Sequence, residues 1–261
     1  MIRTLVRAAS IALVAAAPAA ASAQAGGALP PAKDLVAKYV QAIGGRDAVL
    51  KHSSIKLTGR FEMPAAGVGG DLELVRMKPN LMVTRINIPG MGEVRSGYNG
   101  TVGWSINPMQ GPRLAEGKEL AALQDQADLR DMVKESPSIA SMETVEKTTM
   151  GGEECYKVKV TYKSGRDSFE CYSVASGLIV GGSSKEETPM GSVEMVSAVG
   201  EYKEFGGIKF PTRITQEAMG QQQVMSISNV EFDTAQASHF ELPAEIKALA
   251  EKAPAKPGSQ R

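Results

Sequence analysis

The chain has 261 residues with 29 basic and 29 acidic side chains, hence a formal net charge of zero, and 43% of it is hydrophobic; this is globular usage, neither disordered nor fibrous. Balanced charge leaves no basic footprint for nucleic acid, and two Cys with two His, without a Cys-x-x-Cys spacing, cannot fill a four-ligand zinc site unless carboxylates join. No uninterrupted apolar stretch beyond the N-terminus reaches the roughly 18 residues of a membrane-spanning helix.

Residues 1–25 read as a secretory signal peptide: a basic start (Arg3, Arg7), an apolar run over 8–17, and small residues offering Ala21-Ser22-Ala23 or Ala23-Gln24-Ala25 for cleavage. No Cys follows the apolar run, so the expectation is a soluble periplasmic protein without a lipid anchor. The segment takes two Arg with it and leaves 27 basic against 29 acidic side chains, a net charge of −2.

In chain order, Pro30-Pro31 precede a helix whose apolar residues Leu35, Val36, Tyr39, Val40 and Ile43 share one stripe, and Gly44-Gly45 end it. A short turn at 47–51 follows. From Ser54 the period falls to two: Ile55, Leu57 and Phe61 alternate with Lys56, Thr58, Arg60 and Glu62, a strand with one buried face. Further strands are expected at 71–78, 81–88 and 93–98, with Asn99-Gly100 as a type I′ turn into 101–106. Pro108, Gly111 and Pro112 then break the sheet pattern, and 113–135 reads as helix. At about 100° per residue, Leu120, Leu123 and Ala127 share one face, and Ala122, Leu129, Met132 and Val133 another. Either the helix breaks near 125–128 or it buries two sides.

Strands resume at 143–149, 155–162, 167–173, 178–183, 192–205, 208–217 and 222–232, with Gly206-Gly207 and Gly220 at turns. Phe240-Glu241-Leu242-Pro243 opens a closing helix with Ile246 and Leu249 inward. The polar segment 253–261 is expected to be a disordered tail. With no repeat and no linker, 26–252 is expected to be one domain.

Export changes the meaning of Cys155 and Cys171. They lie in strands on either side of Lys163-Ser164-Gly165, and an oxidising compartment favours a cross-strand disulfide. The expected register sets Cys155 opposite Cys171, Lys157 opposite Phe169 and Lys159 opposite Asp167. Two reduced, buried thiols are the alternative; the close spacing that activates redox thiolates is missing from the sequence.

Ser53-Ser54-Ile55-Lys56, Ser105-Ile106-Asn107 and Lys163-Ser164-Gly165 match in order the S-x-x-K, S-x-N and K-T-G-like marks of penicillin-binding enzymes. S-x-x-K needs Ser and Lys on one helix face, whereas a strand puts an odd spacing on opposite faces, so a serine acyl-enzyme is kept only as an alternative. His52 and His239 are read as solvated or capping, and Glu153-Glu154 and Glu186-Glu187 as solvated pairs. The sequence contains no G-x-G-x-x-G, P-loop, H-E-x-x-H or G-x-S-x-G, and no catalytic residue, cofactor or metal is assigned. Met is abundant, 13 residues, with Met77, Met82, Met195 and Met225 in strands and Met132 in the middle helix. Unbranched, polarizable Met either fills a core short of aromatics or lines a surface for varied apolar partners.

Several stretches together resemble the Lol-type periplasmic lipoprotein carriers and the wider lipoprotein-sorting-like superfamily. They are the helix closed by Gly44-Gly45-Arg46-Asp47-Ala48, Tyr98-Asn99-Gly100 followed by Gly103-Trp104, the helical insertion after it, the run from Glu201-Tyr202-Lys203 to Phe210-Pro211, and Phe240-Glu241-Leu242-Pro243. The resemblance spans nearly the whole mature chain, which looks longer than the compact carriers. It implies an α+β, mainly antiparallel β fold: a strongly curved incomplete β-barrel with helices as a lid over its concave face. It further implies non-enzymatic carriage of the acyl chains of lipoproteins or lipids, with an envelope delivery partner and no nucleic acid. Its motifs align no particular cavity residue, so the cavity candidates come from strand alternation. These are Leu57, Phe61, Leu74, Ile86, Trp104, Met195 and Met225, joined by Leu123, Leu129 and Met132 from the lid. The rival expectation is a structural or protein-interaction module of the envelope with a filled core.

Overall fold

The computed structural model of the protein describes residues 28–188 and 191–252. The signal-peptide region 1–25 and the tail 253–261 lie outside the described residues, as do the side chains of Glu186 and Glu187. Helix α1 (Ala32–Ala42) starts after Pro31, whose missing N–H suits a helix start. It stops before Gly44 and Gly45, with φ of 123° and 95°, a region Gly enters without a Cβ clash. There the chain meets a later strand: the Lys209 N–H donates to the Ile43 carbonyl at 2.8 Å, and a Cβ on Gly44 would run into the Gly207 carbonyl. Helix α2 (Arg46–Leu50) follows.

The alternating stretches form strands β1 (Ser54–Met63), β2 (Val68–Met77), β3 (Leu81–Ile88), β4 (Gly92–Tyr98), β5 (Gly103–Asn107) and β6 (Gly111–Leu114). Helix α3 (Gly117–Ala127) and the 3₁₀ turn Leu129–Val133 come next. Seven strands complete the sheet: β7 (Ile139–Met150), β8 (Glu153–Tyr162), β9 (Asp167–Ser173), β10 (Ile179–Thr188), β11 (Gly191–Phe205), β12 (Ile208–Ala218) and β13 (Gln221–Phe232). The 3₁₀ turn Ala237–Phe240 and helix α4 (Ala244–Lys252) end the described chain.

The 13 strands make one sheet in the order β6-β5-β4-β3-β2-β1-β13-β12-β11-β10-β9-β8-β7. Two antiparallel meanders, β1–β6 and β7–β13, are thus joined in the middle by the β1–β13 pair. The connection from edge strand β6 to edge strand β7 is the segment carrying α3. That helix touches β3, β4 and β5 of one meander and β10 of the other, so the sheet curves around it without closing. This is the incomplete barrel with a helical lid that the resemblance implies.

Local expectations fare unevenly. Pro108, Gly111 and Pro112 do not break the sheet; they shape the β5–β6 hairpin, and Pro112 sits in an edge strand where its missing N–H is tolerated. The stretch 113–135 is not one helix. It breaks at Asp128, whose extended backbone (φ −77°, ψ 115°) separates α3 from the 3₁₀ turn. Asn99-Gly100 is not a type I′ turn, which needs both residues at positive φ; only Gly100 is (93°). Asn99 instead accepts hydrogen bonds from the Thr101 and Val102 N–H groups through Oδ1.

Cys155 and Cys171 form the expected disulfide, with Cα atoms 5.4 Å apart, but the register differs. Cys155 pairs with Ser173, Lys157 with Cys171 and Lys159 with Phe169. Gly165 takes φ 82°, and a three-residue loop at 163–165 is closed by the Tyr162 N–H donating to Arg166 O at 2.9 Å. The bridge therefore runs diagonally across the hairpin.

Both faces of the first meander are covered. Ile55, Leu57 and Phe61 of β1, Leu72 of β2 and Ile86 of β3 face α1, α2 and the 3₁₀ turn Leu129–Val133. Val75, Val83 and Trp104, on the alternate positions, face Phe240 and Ile246 of the C-terminal segment. That segment is also tied down by Arg95 to Glu245 (3.1 Å) and by Arg85 to the His239 carbonyl (3.1 Å).

Candidate functional site

The space between the concave sheet face and its lid is the candidate site. Under the lid an apolar floor of Phe61, Leu72, Ile208, Phe210, Ile227 and Val230 meets Leu129 and Val133 from above. Beside it, Leu120 and Leu123 of α3 pack on Leu74, Met82 and Tyr98. On the other limb α1 lays Ala32, Leu35, Val36 and Tyr39 on Val158, Val160, Tyr162 and Tyr172 of β8 and β9.

Between these apolar regions lies a buried ionic cluster. Lys134, whose side chain is 6% exposed, reaches Glu170 of β9 at 2.6 Å and Asp131 at 3.3 Å. The Tyr172 hydroxyl donates to the other Glu170 oxygen at 2.6 Å, and the Tyr39 ring stands edge-on to Tyr172 with centroids 5.8 Å apart. Burial disfavours the charged Lys134 ammonium, but Asp131 and Glu170 outweigh it and raise its pKa well above the ordinary value. Burial pushes the Tyr39 hydroxyl up to about 12. A second pair, Asp125 of α3 with Arg166, is 3.0 Å long and almost wholly buried, and the Arg166 guanidinium lies 3.9 Å from the Tyr162 ring centroid. Asp128 caps the 3₁₀ turn. Its burial opposes ionisation, yet hydrogen bonds from Arg130 and Ser136 prevail and lower its pKa.

A groove of about 800 Å³ runs between α1 and the end of the lid. Val36, Val40, Val133 and Met142 give it apolar walls, Lys134 lies in its lining, and Arg46 and Glu135, paired at 2.6 Å, also border it.

No protein-family model and no curated protein sequence matches the chain. Solved structures do resemble it. A LolA superfamily protein from Nitrosomonas europaea superposes with a TM-score of 0.54 at 14% identity, over 82% of this chain and 99% of that one. A DUF1329 family protein from Desulfovibrio piger gives 0.56 at 13% identity, over 82% and 98%. An outer membrane lipoprotein-sorting protein domain from Vibrio parahaemolyticus gives 0.50 at 8% identity, over 78% and 92%.

The fold is LolA-like. At these identities the likeness establishes architecture alone.

Within this LolA-like fold the cavity candidates separate. Leu57, Phe61, Ile86, Leu129, Met132 and Met225 come together in the cluster under the lid, and Leu74 and Leu123 in the one beside it. Trp104 does not face the lid; it packs with Val75, Val83, Phe240 and Ile246 on the opposite face of the sheet. Met195, near the start of β11, joins neither lid cluster. None of the ten is among the residues lining the groove. Sequence reasoning missed the residues that do line it, and it missed the ionic cluster. The only signal for the groove is the second edge of the α1 stripe, Val36 and Val40.

The penicillin-binding-like trio is dispersed into structural roles. Ser53 donates its hydroxyl to Asp233 at 2.8 Å, and the Lys56 ammonium lies between Glu231 (3.7 Å) and Glu73 (3.9 Å). Lys163-Ser164-Gly165 is the hairpin loop. His239 caps its 3₁₀ turn together with Gln236, as expected, but His52 is not solvated. Its ring stacks on Phe232 at 4.2 Å and its Nδ1 lies 2.7 Å from Asp233. Glu154 pairs with Lys147 at 3.0 Å at the surface, whereas Glu153 accepts a hydrogen bond from Ser173. Among the described residues no helix is long and apolar enough to cross a membrane.

Proposed function

We propose that the protein is a non-enzymatic carrier of the periplasm that shields an acyl chain of a lipoprotein or lipid between the half-barrel and its lid. The observation that carries this reading is the apolar-walled groove of about 800 Å³ beside a lid that bridges both limbs of the sheet. Its size falls in the range of about 300–1,000 Å³ typical of small-molecule sites. Affinity would come from removing chain methylenes from water, about 0.8 kcal/mol for each CH₂ buried. Leu120, Leu123, Leu129 and Met132 of the lid present the apolar surface that a chain would meet once the lid lifts. The signal-peptide pattern of 1–25 supports the compartment, and Lol-type carriers supply the precedent for cargo handed to an envelope partner.

The test is gentle purification from the periplasm, extraction and lipid mass spectrometry, together with uptake of a neutral fluorescent apolar probe. Acyl species in the extract and saturable probe uptake are expected. Absence of both would leave the second reading, an envelope interaction module with a filled core. That reading draws on the tight packing of the lid residues against the sheet and on the ionic cluster beneath them.

A further inference from the structure

Four successive hairpin turns line one end of the sheet from β12 to β6. They are Met219-Gly220 between β12 and β13, Pro64–Ala66 between β1 and β2, Pro89-Gly90-Met91 between β3 and β4, and Pro108-Met109-Gln110 between β5 and β6. Register makes them neighbours. Glu62 pairs with Val224 and Asp71 with Asn87, and a Cβ on Gly92 would come within 3.2 Å of Pro108. Met109, Met219 and Met91, at 82%, 68% and 46% exposure, are the three most exposed large apolar side chains among the described residues. At the other end of these strands the turns are Lys78-Pro79-Asn80, Asn99-Gly100-Thr101 and Gly206-Gly207. The exposed methionines are thus gathered on one rim, and a gathering of exposed apolar side chains marks a surface that meets something.

We propose that this rim is a docking surface for a lipid bilayer of zwitterionic head groups, which the methionine tips enter. Composition and charge decide against other occupants. A protein interface centres on aromatic or Arg anchors, whereas the four turns contain no aromatic and no charged residue. Separate uncharged tips enter a head-group layer without desolvating a charge, and the unbranched thioether of Met adapts to irregular apolar surroundings. Just behind the tips lies a collar of both signs: Arg60 with Glu62 (3.5 Å) and Asp71 (3.9 Å), and Arg95 with Glu93 (3.1 Å). Head groups that carry both a phosphate and an ammonium meet such a collar sign for sign. An anionic bilayer calls for a basic excess, and this collar sets two Arg against three acids. None of the rim residues lines the groove, so docking does not depend on whether the interior carries a chain or is filled.

Flotation of the full mature chain with phosphatidylcholine vesicles tests this. Reversible binding is expected, no weaker at high salt and no stronger with added phosphatidylglycerol. The triple variant Met91→Gln, Met109→Gln, Met219→Gln should bind at least about tenfold more weakly, with its thermal midpoint unchanged because the three side chains are exposed. Val145→Thr with Val174→Thr, exposed valines in β7 and in the β9–β10 turn at the opposite end, should bind as wild type does. Should the triple variant fail to fold, Met109→Gln alone decides, with binding weakened by about threefold. Absence of binding to phosphatidylcholine overturns the docking surface, as does binding that survives in the folded methionine variant or falls equally in the valine variant. Binding that needs phosphatidylglycerol and vanishes at high salt overturns it in favour of charge attraction. A wild-type dimer that the methionine substitutions abolish, with no vesicle binding, gives the rim to a second copy of the chain instead.

Discussion

At the residue scale the decisive group is Lys134. Its chain neighbours Asp131 and Glu135 look like ordinary surface charges in sequence, and nothing marks Glu170, in another strand, as a partner. Only the docking of the lid buries them together, so this part of the site is not legible before the fold is known. Removing one member of a buried ion pair typically costs about 3–5 kcal/mol because the other is left uncompensated. Lys134→Met, which leaves Glu170 and Asp131 facing each other across the lid, should lower the urea-unfolding free energy by about that amount. Adding Glu170→Gln should recover part of the loss, and a single variant as stable as wild type would show that the cluster is solvated. Tyr39 yields a pH prediction. Its proton is held to about pH 12 in the folded chain, against about 10 in the unfolded chain. The folded pKa is raised, so the associated stability is complete below about pH 10 and is lost as pH rises through the folded value. The unfolding midpoint should therefore fall over that window, less steeply in Tyr39→Phe. An identical alkaline profile in the variant would count against a buried Tyr39.

At the element scale, period-two alternation located nearly every strand, because a sheet with one face on a core writes that face into the sequence. Alternation did not say which face. It points Trp104 to the concave side, yet the C-terminal segment makes the opposite face of β5 equally apolar, and two buried faces leave the phase of the alternation without a reference. The cysteine hairpin shows a different limit. Composition and compartment implied the bridge, but register depends on the turn, and Gly165 at positive φ centres the loop one residue later than Lys163. The diagonal bridge spans a sequence separation of 16 residues, for which loop-closure entropy implies about 3 kcal/mol. Replacing both Cys155 and Cys171 with Ser should lower stability by about that amount, read as a fall in the denaturant midpoint with a somewhat steeper slope, because the unlinked unfolded chain exposes more surface. A midpoint equal to that of the oxidised protein would mean that packing around β8 and β9 alone sets the register.

At the scale of the molecule, the barrel is left open and a crossover segment does the closing. The connection from β6 to β7 must travel from one free edge of the sheet to the other, and α3 with the 3₁₀ turn Leu129–Val133 covers that path. The attachments of this segment to the β8–β9 hairpin are ionic, Asp125 to Arg166 and Lys134 to Glu170, while Leu129 and Val133 sit on apolar residues of β12 and β13. Its attachments to the β1–β6 limb are mostly apolar, through Leu120, Leu123 and Leu129. A lid built this way can release the ionic side while staying seated on the apolar one, since apolar contacts tolerate sliding but a buried pair is either made or broken. Asp125→Asn keeps the shape and removes the charge, leaving the Arg166 guanidinium, with 13% of its side chain exposed, uncompensated. Local opening of α3 should then become at least about tenfold more frequent, seen as faster amide hydrogen exchange over 117–127, while the central β1–β13 pair keeps its protection. Uptake of the apolar probe should quicken by a similar factor if lid opening limits entry. Exchange that rises equally in β1 and β13 would mean that lid and sheet open only together, and a carrier would then need another way in.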